Sequence, residues 1–272
     1  MTNWIVLTLA GIAVGIGLFW LGWILITLFS HAIPAMKSSI FLQMTPPPGE
    51  KGGLLNAILG SVILTGIATV VGTPIGILAG TYLAKIGEDN AFSSITRFVN
   101  SILLSAPSVV IGFFAYTVIV ASSRHFSGWA GSFALLVILI PVVVNSTENM
   151  LRLVPQSLYE AAAALGAPQW KVIVFVAYRS ARTGVLTCVL LAVARISGET
   201  APLLFTALNN QFWNTDLSKP MANLPVVIFQ FAMSPYVDWQ NLAWAGALLI
   251  TLSVLVLNIF ARIFLKDKNA RT

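Results

Sequence analysis

Charge is the scarcest property of this chain: only 9% of its 272 residues are Asp, Glu, Lys or Arg, against 57% hydrophobic. A soluble domain carries about 25% charged residues, so water is excluded as the main solvent and lipid is left. Cysteine is almost absent too. Cys188 is the single example, inside an apolar stretch, which excludes a disulfide framework and a thiolate metal motif. The two histidines, His31 and His125, fall in outer loops and have no metal-ligand spacing. No Gly-x-x-x-x-Gly-Lys-Ser/Thr loop occurs, so this chain does not bind ATP in the P-loop manner by itself, and His-Glu-x-x-His and Gly-x-Ser-x-Gly are missing as well. Internal repeats and low-complexity tracts are also lacking, which excludes a repeat array. The start, Met1-Thr2-Asn3, has no basic n-region, and the apolar run to Ser30 is too long for a signal h-region, so the first segment is expected to stay as a span.

What the chain does have is apolar runs. Spans are predicted at 4–30, 54–84, 98–121, 129–146, 183–208 and 242–265, each long enough to cross a hydrocarbon core of about 30 Å. The net charge of +6 is scattered over span ends without interleaved aromatics, so it reads as topology and not as a nucleic-acid surface. On one side lie ten basic residues: Lys85, Arg97, Arg152, Lys171, Arg179, Arg182, Arg262, Lys266, Lys268 and Arg271. On the other lie four, Lys37, Lys51, Arg124 and Lys219, with Arg195 left inside a span. The positive-inside rule then places both termini and the Glu148–Arg182 loop in the cytoplasm.

Several residues interrupt the apolar pattern. Gly72, Gly76 and Gly80 recur every fourth residue and predict close helix approach. Ser61, Thr65, Thr69 and Thr73 form a hydroxyl stripe on the same span; such hydroxyls usually bond their own i−4 carbonyls, and a pathway-lining role for Thr69 and Thr73 is the alternative. Pro74 and Pro107 predict kinks. In the fifth span Arg195, Glu199 and Pro202 share one face of a continuous helix, with the Gly198 carbonyl freed by the proline. Glu199 is there the one acidic residue within a span, which excludes a paired-aspartate intramembrane protease. Outside, between 209 and 241, the run Val226–Met233 is too short to span and predicts an interfacial or re-entrant helix. Trp129, Trp239 and Trp244 read as interface anchors.

The loop 148–182 predicts a short helix: Pro155 opens it, Glu160 sits in its first turns, the alanines propagate it, and Gly166 with Pro168 stops it. Glu160-Ala161-Ala162 with Gly166 resembles the EAA signature of ABC-importer permeases. The stretch Ala194-Arg195-Ile196-Ser197-Gly198-Glu199-Thr200-Ala201-Pro202-Leu203-Leu204-Phe205-Thr206-Ala207 resembles the narrower signature of permeases that import phosphate. The likeness extends to Ala106–Phe114 and Leu224–Pro235, and so covers most of the chain after about residue 45. One departure stands out: the family usually closes its loop with Leu-Pro where this chain has Tyr178-Arg179, so the bend expected there can give way to an unbroken helix.

The resemblance implies an all-α membrane protein of six transmembrane helices with the type I ABC-importer permease (MetI-like) fold and both termini cytoplasmic. Residues 1–53 would form the first helix and outer loop, and 54–272 a five-helix permease core containing the coupling loop 148–182. It implies a permease subunit without an ATPase site or cofactor of its own, paired with a second, similar permease, two ATPase subunits below and a phosphate-binding protein above, in a bacterial inner membrane. Glu160, Ala161, Ala162 and Gly166 would couple to the ATPase; Arg195, Glu199, Thr200, Thr69 and Thr73 would line the path. Other oxyanions, molybdate or sulfate, are the alternative cargo. A membrane-embedded enzyme would need a second polar catalytic group on another span, and a passive channel would not need a docking loop.

Overall fold

Helices follow the apolar runs because a backbone in hydrocarbon must satisfy its own hydrogen bonds. The computed structural model describes residues 2–87 and 90–264, and every regular element among them is helical. The chain runs through α1 (Thr2–Ala35), α2 (Leu55–Lys85), α3 (Ala91–Ser105), α4 (Ser108–Ser123), α5 (Gly128–Arg152), α6 (Gln156–Ala164), α7 (Gln169–Ile196), α8 (Ala201–Leu204), α9 (Leu224–Ala232) and α10 (Val237–Phe264). Five of these are long and apolar enough to cross a membrane, and α3 with α4 would make a sixth crossing. The predicted last span ends at 265, which lies outside the described residues, as do Lys266, Lys268 and Arg271.

At the centre α2 lies against α5. A Cβ on Gly72 would sit 2.9 Å from Leu139 Cδ2, one on Gly76 2.7 Å from Val143 Cβ, and one on Gly80 2.6 Å from the Val144 carbonyl oxygen. The glycine ladder is therefore the seam along which two backbones meet, and α2 runs through Pro74 without a break. Leu64, Ala68, Leu135, Leu139, Val143, Leu151, Ala177, Val185 and Ile196 fill the core around it. Gly76→Ala is expected to cost about 1–3 kcal/mol, the range for overpacking a filled core, read as a lower thermal midpoint of the purified protein; an unchanged midpoint would show that the seam has slack.

The structure corrects the predicted spans at three places. The third is not one kinked helix over 98–121: α3 and α4 meet at 107° across Ala106-Pro107. A proline disfavours helical backbone in the residue before it, and Ala106 is extended at φ −66°, ψ 133°. The fourth runs to Arg152 instead of 146, so Glu148 lies inside a membrane-length helix and is buried. Glu199 is thus not the one acidic residue of the spans. The fifth occupies 169–196 instead of 183–208: helix passes through Tyr178-Arg179 unbroken, by way of a π-helical stretch Val172–Ala177, and ends before Gly198.

Near the other end of the bundle the segment from Phe205 to Asn223 is stitched down by its amides. Asn56 donates to Thr45 Oγ1 at 2.8 Å and to the Asn210 carbonyl at 2.9 Å. Asn223 caps α9 by accepting from the Val226 N–H at 3.1 Å, and Ser61 Oγ accepts from the Leu224 N–H at 2.7 Å. The short apolar run predicted there is α9, with Val226, Val227 and Phe231 buried. Trp239 stacks on Phe231 at 4.3 Å, and His31, which lies in α1 and not in a loop, stacks on Trp244 at 4.8 Å. Helix α1 touches the bundle through Leu28 and Ala32 against Leu248 of α10 and is otherwise exposed over most of its length.

Candidate functional site

Arg195 lies in the last turn of α7, where a cation also suits the negative end of the helix dipole. The helix stops because Ser197-Gly198 favours turn over helix: the Gly198 N–H reaches back to the Arg195 carbonyl at 3.3 Å and the Glu199 N–H to the Ile196 carbonyl at 3.3 Å, i−3 bonds that tighten the end. Helix resumes at Ala201, where Pro202 stands in the first turn and its missing N–H costs nothing. So Arg195, Glu199 and Pro202 do not share one face of a continuous helix. Arg195 and Glu199 form no ion pair with each other; Arg195 is exposed, and Glu199 and Thr200 are half-buried in the non-helical break.

That break packs on the other one. A Cβ on Gly112, in α4 just past the 107° bend, would lie 2.7 Å from Pro202 Cα, and Phe113 stacks on Phe205 at 4.4 Å. Two interrupted helices are thus pressed together, an arrangement tolerated at membrane depth where protein covers the irregular backbone or a cavity lies beside it. Along α7, Arg195 lies thirteen residues, about 20 Å of helix, beyond Arg182.

Beside this region a groove of about 410 Å³ opens between α2, α7 and α10. Ser61, Thr65 and Thr69 of α2, Ser197 just past the end of α7 and Ser253 of α10 line it among mostly apolar side chains. Thr69 donates to the Thr65 carbonyl at 2.7 Å, the local bond expected of such a stripe, while still facing the groove. Arg195, Glu199, Thr200 and Thr73 are not among its lining residues. The Thr73 hydroxyl is buried without a hydrogen-bond partner. Ser253 was not singled out from the sequence; its signal was one of two hydroxyls, with Thr251, in the apolar run 242–265.

The Glu160–Gly166 motif folds as its residues dictate. Helix α6 follows Pro155, and Glu160 and Ala161 are exposed with Ala162 half-buried. Gly166 takes φ +75°, its N–H bonds the Ala163 carbonyl at 2.9 Å, and the Ala167 N–H bonds the Ala162 carbonyl at 3.2 Å. This paired closure is a Schellman motif, which needs a left-handed residue at the glycine. Leu165, 88% exposed, projects from its end. Tyr159 ties α6 to the bundle: its hydroxyl donates to the Leu151 carbonyl at 3.4 Å, and Lys85 Nζ lies 3.8 Å from its ring centroid. Tyr178, in place of the family's Leu-Pro, hydrogen-bonds Thr81 of α2 at 2.8 Å.

Sequence reasoning missed one polar cluster. Glu148 Oε1 accepts from Arg97 Nε at 2.8 Å and from Arg152 Nη2 at 2.8 Å, and Arg97 Nη2 donates to the Leu83 carbonyl at 2.7 Å. The i,i+4 spacing of Glu148 and Arg152 was a visible signal. Arg97, on another helix, was not.

Comparison with known proteins places these features in context. Residues 72–269 match the family model described as binding-protein-dependent transport system inner membrane component. The chain is 62% identical over 269 residues to the phosphate transport system permease protein PstA of Pasteurella multocida, covering 99% of this chain and 96% of that protein. It is 62% identical to the protein of the same name from Haemophilus influenzae, over 98% of this chain and 94% of the other. Among solved structures, a chain of the inward-facing MetNI methionine ABC transporter superposes with TM-score 0.61 at 18% identity, over 78% of this chain and 92% of that one. A chain of a bacterial alginate ABC transporter gives TM-score 0.65 at 13% identity, over 97% and 94%. At such identities the structures speak to the fold alone, that of ABC-importer permeases.

Proposed function

Since this chain belongs to the family of binding-protein-dependent transport system inner membrane components, we propose that it is the phosphate-conducting permease subunit of an ATP-driven importer. Identity of 62% over nearly the full length to phosphate permeases is the observation that carries the cargo and favours phosphate over molybdate or sulfate. Catalysis of ATP hydrolysis belongs to a separate chain. The partners are a second, similar permease, a pair of ATPase subunits and a phosphate-binding protein, assembled in a bacterial inner membrane around the 54–272 core. Co-purification tests the assembly: tagged protein should bring down an ATPase and a second permease, and recovery of this chain alone would contradict it.

The exposed helix α6 with its fixed stop is the docking element for the ATPase, through Glu160, Ala161, Ala162 and Gly166. Its rigidity, from the Schellman closure and the Tyr159 tether, supports that role. Both termini and the 148–182 loop face the cytoplasm, a reading supported by the ten-to-four count of basic residues. In a Cys188→Ser background, Lys219→Cys should react with an impermeant thiol reagent applied from outside and Gln169→Cys should not. The reverse labelling would invert the topology.

For the path we place Arg195 at its centre, with Glu199 and Thr200 in the break and Thr69 and Thr73 on the facing helix. An arginine costs up to about 2.5–3.5 kcal/mol to insert, the figure for a helix centre, and less toward a helix end such as that of α7. With no Glu199 partner to neutralise it, its exposed guanidinium is open to an oxyanion as a planar, permanently charged fork. Glu199, within the same break, offers a carboxylate that accepts a hydrogen bond from a protonated phosphate oxygen, which sulfate does not present.

A further inference from the structure

The cluster around Glu148 ties together helices that an importer has to move together. Glu148 is 8% exposed, on α5 four residues before Arg152. Its Oε1 takes one bond from Arg97 of α3 and one from Arg152, and Arg97 also holds the Leu83 carbonyl near the end of α2. Two residues past Leu83, Lys85 covers Tyr159 of α6, and Tyr159 reaches the Leu151 carbonyl beside Arg152. Helix α3 leads from Arg97 straight to the 107° bend at Ala106-Pro107, and α4 beyond it packs on Pro202 behind the Arg195 break. A buried carboxylate shared by two guanidiniums is costly to assemble and costlier to break, since losing one partner strands a charge.

We propose that Glu148 is a positioning residue: through Arg97 and Arg152 it makes α6, the cytoplasmic ends of α2 and α5, and α3 one rigid body, so that displacement at the docking helix arrives at the Ala106-Pro107 bend. The inference rests on the permease reading and adds to it the joint between docking helix and pathway.

Two measurements on the assembled importer in liposomes test it. Glu148→Gln should lower the phosphate imported per ATP hydrolysed by about tenfold, within the 5–150-fold range usual for coupling between sites, while the yield of assembled complex and unstimulated ATP hydrolysis stay near those of the parent. The double variant Arg97→Gln/Glu148→Gln should be no worse than Glu148→Gln, because the two act as one unit. Parental stoichiometry in Glu148→Gln would overturn the proposal. The second measurement leaves the cluster intact. With nitroxides at Ser157→Cys on α6 and Phe98→Cys on α3, in Cys188→Ser background, the distance should be the same in nucleotide-free and ATP-trapped complexes. A distance that changes between those states would overturn the proposal whatever the variants do. This test needs no phosphate, so it decides the joint even where the cargo reading fails.

Discussion

Replacing Arg195 by glutamine is expected to abolish phosphate uptake, with a loss of at least about hundredfold, while the importer still assembles and still hydrolyses ATP. The magnitude follows from charge-assisted hydrogen bonds of about 1.5–3 kcal/mol each, two of them offered by one guanidinium fork, at 1.4 kcal/mol per tenfold. Glutamine keeps a polar donor but is shorter and loses the permanent charge. The last turn of α7 also welcomes a cation for helix stability, so the assembly readout separates the two roles. Near-parental uptake, or failure to assemble, would make Arg195 structural and put the pathway elsewhere. Glu199→Gln should instead leave a slow transporter with weaker rejection of sulfate, measured as sulfate competition against labelled phosphate.

A second large effect is expected at Gly166. Its φ of +75° lies in the left-handed region, and a Cβ there would meet nothing within 4 Å. Space is therefore not at issue, only backbone conformation. A β-branched residue resists that conformation, at a cost on the order of 1–3 kcal/mol, which is enough to undo the two closing hydrogen bonds of α6. Gly166→Val should lose phosphate-stimulated ATP hydrolysis by about tenfold or more, on the scale of 1.4 kcal/mol per factor of ten, yet still insert in the membrane. Gly166→Asn should be far milder, because asparagine tolerates positive φ. Full stimulation in Gly166→Val would show that the bend is dispensable.

Helix α6 was readable because its start and stop are local: Pro155, Gly166 and Pro168 determine them without reference to the rest of the chain. The α2–α5 seam was readable for the same reason, a four-residue glycine period on one helix. Features that depend on what packs alongside were not. Pro107 announced a disturbance, but its 107° size goes with how α4 lies on Pro202 through Gly112. Hydropathy placed the fifth span around Arg195, whereas the helix ends at Ile196, because Ser197-Gly198 and a proline at the next helical turn outweigh the apolar flanks. Glu148 was assigned to a loop on polarity alone. Its burial depends on Arg97, fifty-one residues earlier in sequence, and no window of local pattern contains both. Thr69 and Thr73 looked equivalent on the stripe, but the drift of a four-residue repeat around a 3.6-residue helix turns Thr69 to the groove and leaves Thr73 off its lining.

Uptake of labelled phosphate by the complete importer in liposomes, with ATP inside and the binding protein outside, tests the central claim most directly. The expected result is ATP-dependent phosphate accumulation that excess sulfate or molybdate does not suppress. Accumulation of sulfate or molybdate in place of phosphate, or phosphate entry that continues without ATP, would contradict it.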